Sequence, residues 1–547
     1  MRSSRSANPR STAFLLLAVL GGVWLASQLC FVAEPPGRDQ YLFMAQADRL
    51  LAGDALYTDV WEHKPPGIVW IYALAMALLG RGWGAVQLAS AAAALIAGWG
   101  LAWLLWRRTG LRAQAALAGC LYILFHSGPA FGAFWATAQP EVFMDPLLVA
   151  ALGLLWGCDG RRGIVRAAGA GLCVGLMVLL KYSAAPLALM GLGVFARRAL
   201  PVSARWARAL AFCGGGALVG LALLAALGLT GGLGAFWEAT IEFNLVHRRV
   251  AAASALDSLG SKLLFRLVLL APLYTGMLAV WLLALWRWKR GPRSFVSMGI
   301  WALALWLMSL AGVFWQSKFW IYHYHVILLP LCLATGAALA GLAEGAPSRR
   351  GARAALVGAC ALLLTTPQIA ALTTYMQDHR LLEYCLCGLE RQVYEGTYTW
   401  GGTDYDAADT RAAAQRIRAE TKPDDPIFVW GFEPGVYFLS GRRPASRFLY
   451  DYPLLPQFGA LQERFVARLL ADLRARPPRL FAVIRRDPND LEAEDSFAQL
   501  KRIPPLADLL AREYSFAWEQ GDFTVYRRSG LDRPVLAPPQ SRMLESP

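Results

Sequence analysis

Charge is scarce in this sequence. Only 17% of its 547 residues are Asp, Glu, Lys or Arg, while 56% are hydrophobic. A water-soluble globular protein is rarely so poor in the first and so rich in the second. Acids are scarcer still, 38 against 53 bases, for a net charge of +15. That excess does not indicate a nucleic-acid binder. The arginines stand in short clusters between apolar runs, which is how membrane topology is written. Neither a P-loop nor a Gly-x-Gly-x-x-Gly motif occurs, so nothing here cradles a nucleotide. The nine cysteines make no metal-ligand spacing. Seven of them (Cys30, Cys120, Cys158, Cys173, Cys213, Cys332, Cys360) sit inside apolar runs as small core residues. Cys385 and Cys387, two apart, are poorly spaced for a mutual disulfide. There is no internal repeat, and the only low-complexity tract is a Pro-rich tail after Ser529.

What the sequence does have is long apolar segments, at 12–32, 84–106, 113–131, 141–157, 167–180, 182–196, 207–229, 262–286, 295–315, 322–343 and 353–375. Runs of about 20 apolar residues cross a hydrocarbon core of about 30 Å, so about eleven crossings are predicted, two of them short. The pair around Lys181 reads alternatively as one long helix, and the loops decide between the two. Arg107, Arg108 and Arg112; Arg161, Arg162 and Arg166; Arg197, Arg198, Arg205 and Arg208; Arg287, Lys289, Arg290 and Arg293; and Arg349, Arg350 and Arg353 fall in every second loop. This is the positive-inside pattern, and it holds only if Lys181 separates two short helices. The N-terminus, with Arg2, Arg5 and Arg10, is then cytoplasmic, and everything after Tyr375 is outside. Segment 12–32 has the charged flank of a signal peptide but no clear small-x-small site, and a signal anchor suits the topology better.

The expected architecture is thus an α-helical polytopic membrane domain over residues 1–375, with a first outer loop at 33–83, followed by an extracytoplasmic α/β domain over 376–547. The second domain alternates strand-like runs (Ile427–Trp430, Leu480–Ile484, Phe523–Tyr526) with helical stretches (408–420, 460–475, 505–513). Its segment Trp430-Gly431-Phe432-Glu433-Pro434-Gly435 contains no phosphate loop or triad, and the domain is expected to cover the site or select the acceptor.

Loop 33–83 is dense in chemistry. Asp39 opens a helical stretch in which Tyr41, Met44, Ala45, Asp48 and Leu51 recur at helical spacing, and Gly53 ends it. Tyr57, Asp59, Trp61, Glu62 and Lys64 follow, and Lys64-Pro65-Pro66-Gly67 starts another helix. In the plainest reading, Asp39 caps its helix while Glu62 and Lys64 pair at the headgroups. A functional reading makes the loop a polar site at the outer membrane surface. There, a carboxylate takes a proton from a hydroxyl and a cation holds a phosphate leaving group.

The loop resembles that of the polytopic GT-C glycosyltransferases, in particular the bacterial dolichyl-phosphate-mannose protein mannosyltransferase-like family and the aminoarabinose transferase of lipid A. The matching residues are Asp39-Gln40-Tyr41, Gly53-Asp54-Ala55-Leu56-Tyr57 and Lys64-Pro65-Pro66-Gly67. An acid often stands in the family where Gln40 stands here, which leaves Asp39 as the only carboxylate of the dipeptide. Further matches are Thr137-Ala138-Gln139-Pro140-Glu141, Leu180-Lys181-Tyr182-Ser183, and Lys318-Phe319-Trp320-Ile321-Tyr322-His323-Tyr324 ending at Pro330. The resemblance covers roughly 12–375.

The resemblance implies transfer of a sugar from a polyprenyl-phosphate carrier to a glycan, lipid or protein acceptor outside the cell's inner membrane. Asp39 would be the general base and the reaction inverting. The donor would be bound by Tyr41, Tyr57, Glu62, Lys64, Glu141, Lys181, Lys318, His323 and Tyr324, with its phosphate among Lys64, Lys181, Lys318 and His323. No metal ligands are assigned, and assistance by a divalent metal stays open. The rival class is a transporter or flippase of lipid-linked sugars, but transporters place charge near the midplane and often show two related halves. A non-catalytic scaffold fits poorly with the clustered carboxylates and lysines of loop 33–83. His323 and His325, two apart, do not share a helix face. His247-Arg248-Arg249 reads either as an anion contact or as a solvated basic turn.

Overall fold

The computed structural model describes residues 32–256, 270–271, 274–285, 293–344, 350–400, 405–488 and 493–530. The expected crossing at 12–32 lies outside the described residues except for Val32, and the one at 262–286 is described only in part. The chain divides into two compact units, Met1–Tyr398 and Thr399–Pro547.

The first unit is helical. Among the described residues, helix α1 (Arg38–Leu51) is followed by α2 (Gly67–Leu79), α3 (Trp83–Thr109), α4 (Arg112–Phe125), α5 (Pro140–Trp156), α6 (Gly163–Leu180) and α7 (Val202–Leu229). Then come α8 (Phe243–Leu256), α9 (Arg293–Gln316), α10 (Leu328–Glu344) and α11 (Arg350–Asp378). Among the described residues six helices are long and apolar enough to cross a membrane: Trp83–Thr109, Gly163–Leu180, Val202–Leu229, Val296–Gln316, Ile321–Ala343 and Gly358–Asp378. Four more are apolar but shorter: Gly67–Leu79, Arg112–Phe125, Tyr182–Val194 and Tyr274–Leu285. This is a multi-pass membrane protein. Its outward residues are ones that water would not tolerate in such number, among them Trp99, Leu218, Leu221, Ile300 and Leu362. Without a hydrophobic force between helices in lipid, close packing through small residues holds them together. Gly171 of α6 and Gly215 of α7 each lie against the other helix's backbone, where any Cβ would collide with a carbonyl.

The break at Lys181 is real. α6 ends at Leu180, Lys181 is extended (φ −158, ψ 128), and a tighter 3-10 segment runs over Tyr182–Val194. The expected run at 113–131 is cut short, however. α4 stops at Phe125, and two 3-10 turns, Pro129–Phe131 and Ala133–Trp135, follow around Gly128, Pro129 and Gly132. An uninterrupted apolar composition hid this irregular loop. The unit also extends past the expected boundary at 375, as far as Tyr398. Aromatic contacts explain why: His379 stacks on Tyr398 at 4.1 Å, and Phe134 meets Tyr398 edge-on at 5.2 Å.

The second unit carries a four-stranded sheet. β1 (Ile427–Trp430) and β2 (Leu480–Ile484) run parallel and are fully buried, while β3 (Tyr514–Gln520) and β4 (Phe523–Arg528) form an antiparallel hairpin; the order is β1-β2-β4-β3. Helices Ala407–Glu420, Ala460–Ala475 and Pro504–Glu513 accompany it. The Trp430–Gly435 segment serves this unit's own packing. Trp430 Nε1 donates to Ser496 O at 2.8 Å, and Glu433 accepts from Thr410 Oγ1 at 2.9 Å.

Candidate active site

Asp39 lies in the first turn of α1, but it does not cap the helix: the N-cap is Gly37, with no side-chain cap. Its two oxygens are used elsewhere. Oδ1 accepts from Lys64 Nζ at 2.8 Å, and Oδ2 accepts from Tyr322 OH at 2.9 Å. Lys64 therefore does not pair with Glu62 through its ammonium. Glu62 instead accepts the Lys64 backbone N–H at 2.8 Å and the amide of Gln46. The Lys64 ammonium also lies over the Phe43 ring, 4.5 Å from its centroid.

Lys181, freed from helical geometry by the break it sits in, binds the fully buried Glu141 at the start of α5. Its ammonium lies 5.4 Å from the Tyr322 ring centroid. Gly67 makes this meeting possible. It is packed so closely on Leu179 that an added Cβ would stand 2.6 Å from the Leu179 carbonyl oxygen. The Lys-Pro-Pro-Gly turn is thereby brought against the end of α6, and Lys64 comes within electrostatic reach of Lys181.

Gln40 does something an acid could not. Its Nε2 faces the carbonyls of Phe134, Trp135 and Thr137 at 2.9, 3.1 and 2.9 Å, and the side chain is wholly buried. Tyr72 OH and Ser90 Oγ hold the same loop at Ala138. These ties fix the segment that leads into Glu141, across backbone at positive φ in Ala133 and Ala138.

The electrostatics favour charge here. Burial pushes the Asp39 carboxyl up, but Lys64, Tyr322 and Lys181 outweigh it and hold the group below its usual range. Burial likewise opposes ionisation of Glu62, and His63, Lys64 and Gln46 overcome it. Lys64 is depressed by burial and raised further by Asp39, Glu62 and Glu141, so it stays an ammonium. Lys318, between α9 and the 3-10 turn Ile321–Ile327, is pushed down to about 7 by burial and by neighbouring Lys64, against Asp39.

The anticipated residues do not all take equal parts. Asp39, Glu62, Lys64, Glu141, Lys181 and Lys318 share one electrostatic neighbourhood. Tyr57 supports it from outside, its hydroxyl donating to Lys64 O at 3.2 Å and its ring edge-on to Phe236 at 5.1 Å. Tyr41 is buried on α1, His323 packs on the Tyr322 ring at 4.6 Å, and Tyr324 is buried beside Tyr274. Sequence reasoning passed over Tyr322, quoted within a motif yet given no role; its place at the end of a span beside Lys318 was the available signal. It also passed over His63, whose carbonyl accepts from Asn244 at 2.6 Å and whose ring lies 5.6 Å from that of His247. Among the described residues no three His, Cys, Asp or Glu side chains are arranged to hold a metal ion.

Residues 63–228 match the family described as dolichyl-phosphate-mannose-protein mannosyltransferase. The search of curated proteins finds no match. Among solved structures, the chain is similar to ArnT from Cupriavidus metallidurans bound to undecaprenyl phosphate, with 13% identity, a TM-score of 0.53, and 94% of this chain and 98% of that one covered. ArnT in the apo state gives 14%, 0.49, 95% and 98%. The archaeal oligosaccharyltransferase AglB from Archaeoglobus fulgidus, in complex with an inhibitory peptide and a dolichol-phosphate, gives 14%, 0.47, 94% and 75%. The chain thus has a GT-C-type polytopic fold, and its resemblance to the mannosyltransferase-like and ArnT proteins holds.

Proposed function

We propose that the protein is a glycosyltransferase of the outer face of the inner membrane, moving a sugar from a polyprenyl-phosphate donor to an acceptor hydroxyl. One observation carries this reading: a carboxylate, Asp39, and three lysines, drawn from segments far apart in the chain, converge at the ends of helices. Ionisable groups gathered at the edge of a membrane are functional by default. In the reaction, the acceptor oxygen attacks the anomeric carbon as Asp39 takes its proton. The bond from that carbon to the phosphate oxygen breaks, and its electron pair leaves with the phosphate, which the lysines stabilise. Attack opposite the leaving group inverts the centre. The ArnT structure that shares this fold holds undecaprenyl phosphate, which supports a lipid-phosphate donor.

A flippase needs two compartments; a transferase does not. Purified protein in detergent, given polyprenyl-phosphate sugars and an envelope extract as acceptor, is expected to release polyprenyl phosphate and to label the acceptor. No release with any donor, while the same protein moves lipid-linked sugar across vesicle bilayers, would establish the transporter instead. Mass spectrometry of glycans and lipid carriers in a deletion strain would name the sugar.

A further inference from the structure

We propose that Asp145 and His325 are positioning residues, which hold Tyr322 against Asp39 and so aim the base. This deepens the glycosyltransferase reading above, on which its kinetic test rests. Both side chains stand one turn away from the site. Asp145 is buried on α5, four residues after Glu141. His325 is buried in the 3-10 turn Ile321–Ile327, three residues after Tyr322.

Those two spacings match. Four residues along an α-helix advance about 6 Å on one face. Three residues along a 3-10 helix also advance about 6 Å, with their side chains eclipsed. At the site, Glu141 holds Lys181, whose ammonium lies 5.4 Å from the Tyr322 ring centroid. One turn on, His325 Nδ1 lies 3.6 Å from Asp145 Oδ2. The same two elements, α5 and the turn packed on it, thus meet twice, at the site and again behind it. A single contact would leave the turn free to pivot. A second fixes its rotation, and with it the direction of the Tyr322 hydroxyl.

The second contact is itself braced. Tyr122 OH, on α4, donates to Asp145 Oδ2 at 2.6 Å, and the Tyr122 ring meets that of His325 edge-on at 6.5 Å. Phe131 also packs on His325, with ring centroids 5.3 Å apart. Ionisable groups are costly inside a bundle solvated by lipid, where leucine would pack more cheaply. What a buried polar contact adds is one defined register. Here that register sets the 2.9 Å bond from Tyr322 OH to Asp39 Oδ2.

Full-length protein in detergent, carrying 3-fluorotyrosine at position 322 alone, reads this bond by fluorine NMR. In the parent, Asp39→Asn should move the resonance. Asp145→Leu, of similar shape but without the polar contact, should abolish that response. His325→Phe should act as Asp145→Leu does, and it serves where that variant does not fold. Asp145→Asn can still accept from Tyr122 and should keep the response. No response in the parent, or a parent-like response in Asp145→Leu or His325→Phe, would overturn the assignment.

Turnover with a polyprenyl-phosphate sugar as donor is the second readout. Asp145→Leu should lower kcat by about ten- to a hundred-fold, with KM for the donor within about three-fold of the parent's. In a Tyr322→Phe background the same substitution should cost no more than about two-fold, because the contact it aims is already gone. A full further loss there would mark Asp145 as a packing residue only and sink the proposal. A parent that turns over no such donor would remove the glycosyltransferase reading, while the fluorine response would still decide whether Asp145 and His325 hold Tyr322 on Asp39.

Discussion

At the scale of the residue, Asp39 is the point on which the enzymatic reading turns. Asp39→Asn keeps the shape and can still bond to Tyr322, but it cannot take a proton. A fall in turnover of roughly 10²–10⁴ is expected, with lipid binding retained. Asp48→Asn on the same helix is the control, since among the described residues the Asp48 carboxylate meets the half-exposed Arg81, at 2.6 Å, and no other charged group; it should be far milder. Equal losses in the two would leave loop folding as the shared cause. The pH profile adds a second check. A general base works in its ionised form, and the Asp39 carboxyl is held below the ordinary 3.8 by Lys64, Tyr322 and Lys181 against its burial. Activity should therefore not fail on the acid side until well below about pH 5. On the alkaline side, the charge of Lys318 is lost as pH rises through about 7, so the apparent KM for donor should climb above that value. An acid limb near pH 6 in kcat/KM would point to a different base. Gln40→Glu tests the neighbouring position. It sets a carboxylate against three carbonyl oxygens in a buried site, which should cost about 2–3 kcal/mol of stability in a melt in detergent and lower activity as the loop before Glu141 loosens.

At the scale of the element, the site depends on two helix ends meeting. Gly67→Ala puts a methyl against the Leu179 carbonyl, so α2 and α6 must move apart and Lys64 must draw away from Lys181. Overpacking of this kind costs about 1–3 kcal/mol. Gly84→Ala, at the start of α3 with nothing within 4 Å, should be silent. Turnover and melting temperature of the two variants, measured side by side, check this. Much at this scale was legible in the sequence. The strands at 427–430 and 480–484 were visible as short apolar β-branched or aromatic runs, and the helix over 460–475 as a periodic one. The Lys181 break was legible because the alternation of basic loops fails without it. The irregular stretch from His126 to Phe131 was not, since it continues the apolar run of a crossing and only Gly128 and Pro129 hint at the turns, whereas 132–140 already read as a connection. β3 was missed because Tyr514–Gln520 mixes exposed polar and aromatic residues on an edge strand. In the site, Asp39 and Lys64 stood out as charges in a chain poor in charge. Tyr322 and Gln40 did not, because a hydroxyl's or an amide's role is set by the partner the fold brings to it.

At the scale of the whole molecule, orientation is the property most open to measurement. Reporters fused after Tyr375 should be active outside the cytoplasm, and reporters within 107–112 or 287–293 should report the cytoplasm. A cytoplasmic signal after Tyr375 would contradict an outer-face site. The hydrogen bond from Tyr322 to Asp39 spans 283 positions of sequence. At the 5–20 residues per second of synthesis, the ribosome needs roughly 15–60 s to get from one to the other. During that interval Asp39 and Lys64 have already emerged while the hydroxyl that completes the pair has not been made. Assembly of the site is therefore a late event in biogenesis, and nascent chains stalled before Tyr322 should be inserted yet inert. The same arithmetic gives a split protein: fragments severed between Glu344 and Arg350 should regain activity when co-expressed, whereas a fragment ending before Lys318 should remain silent on its own.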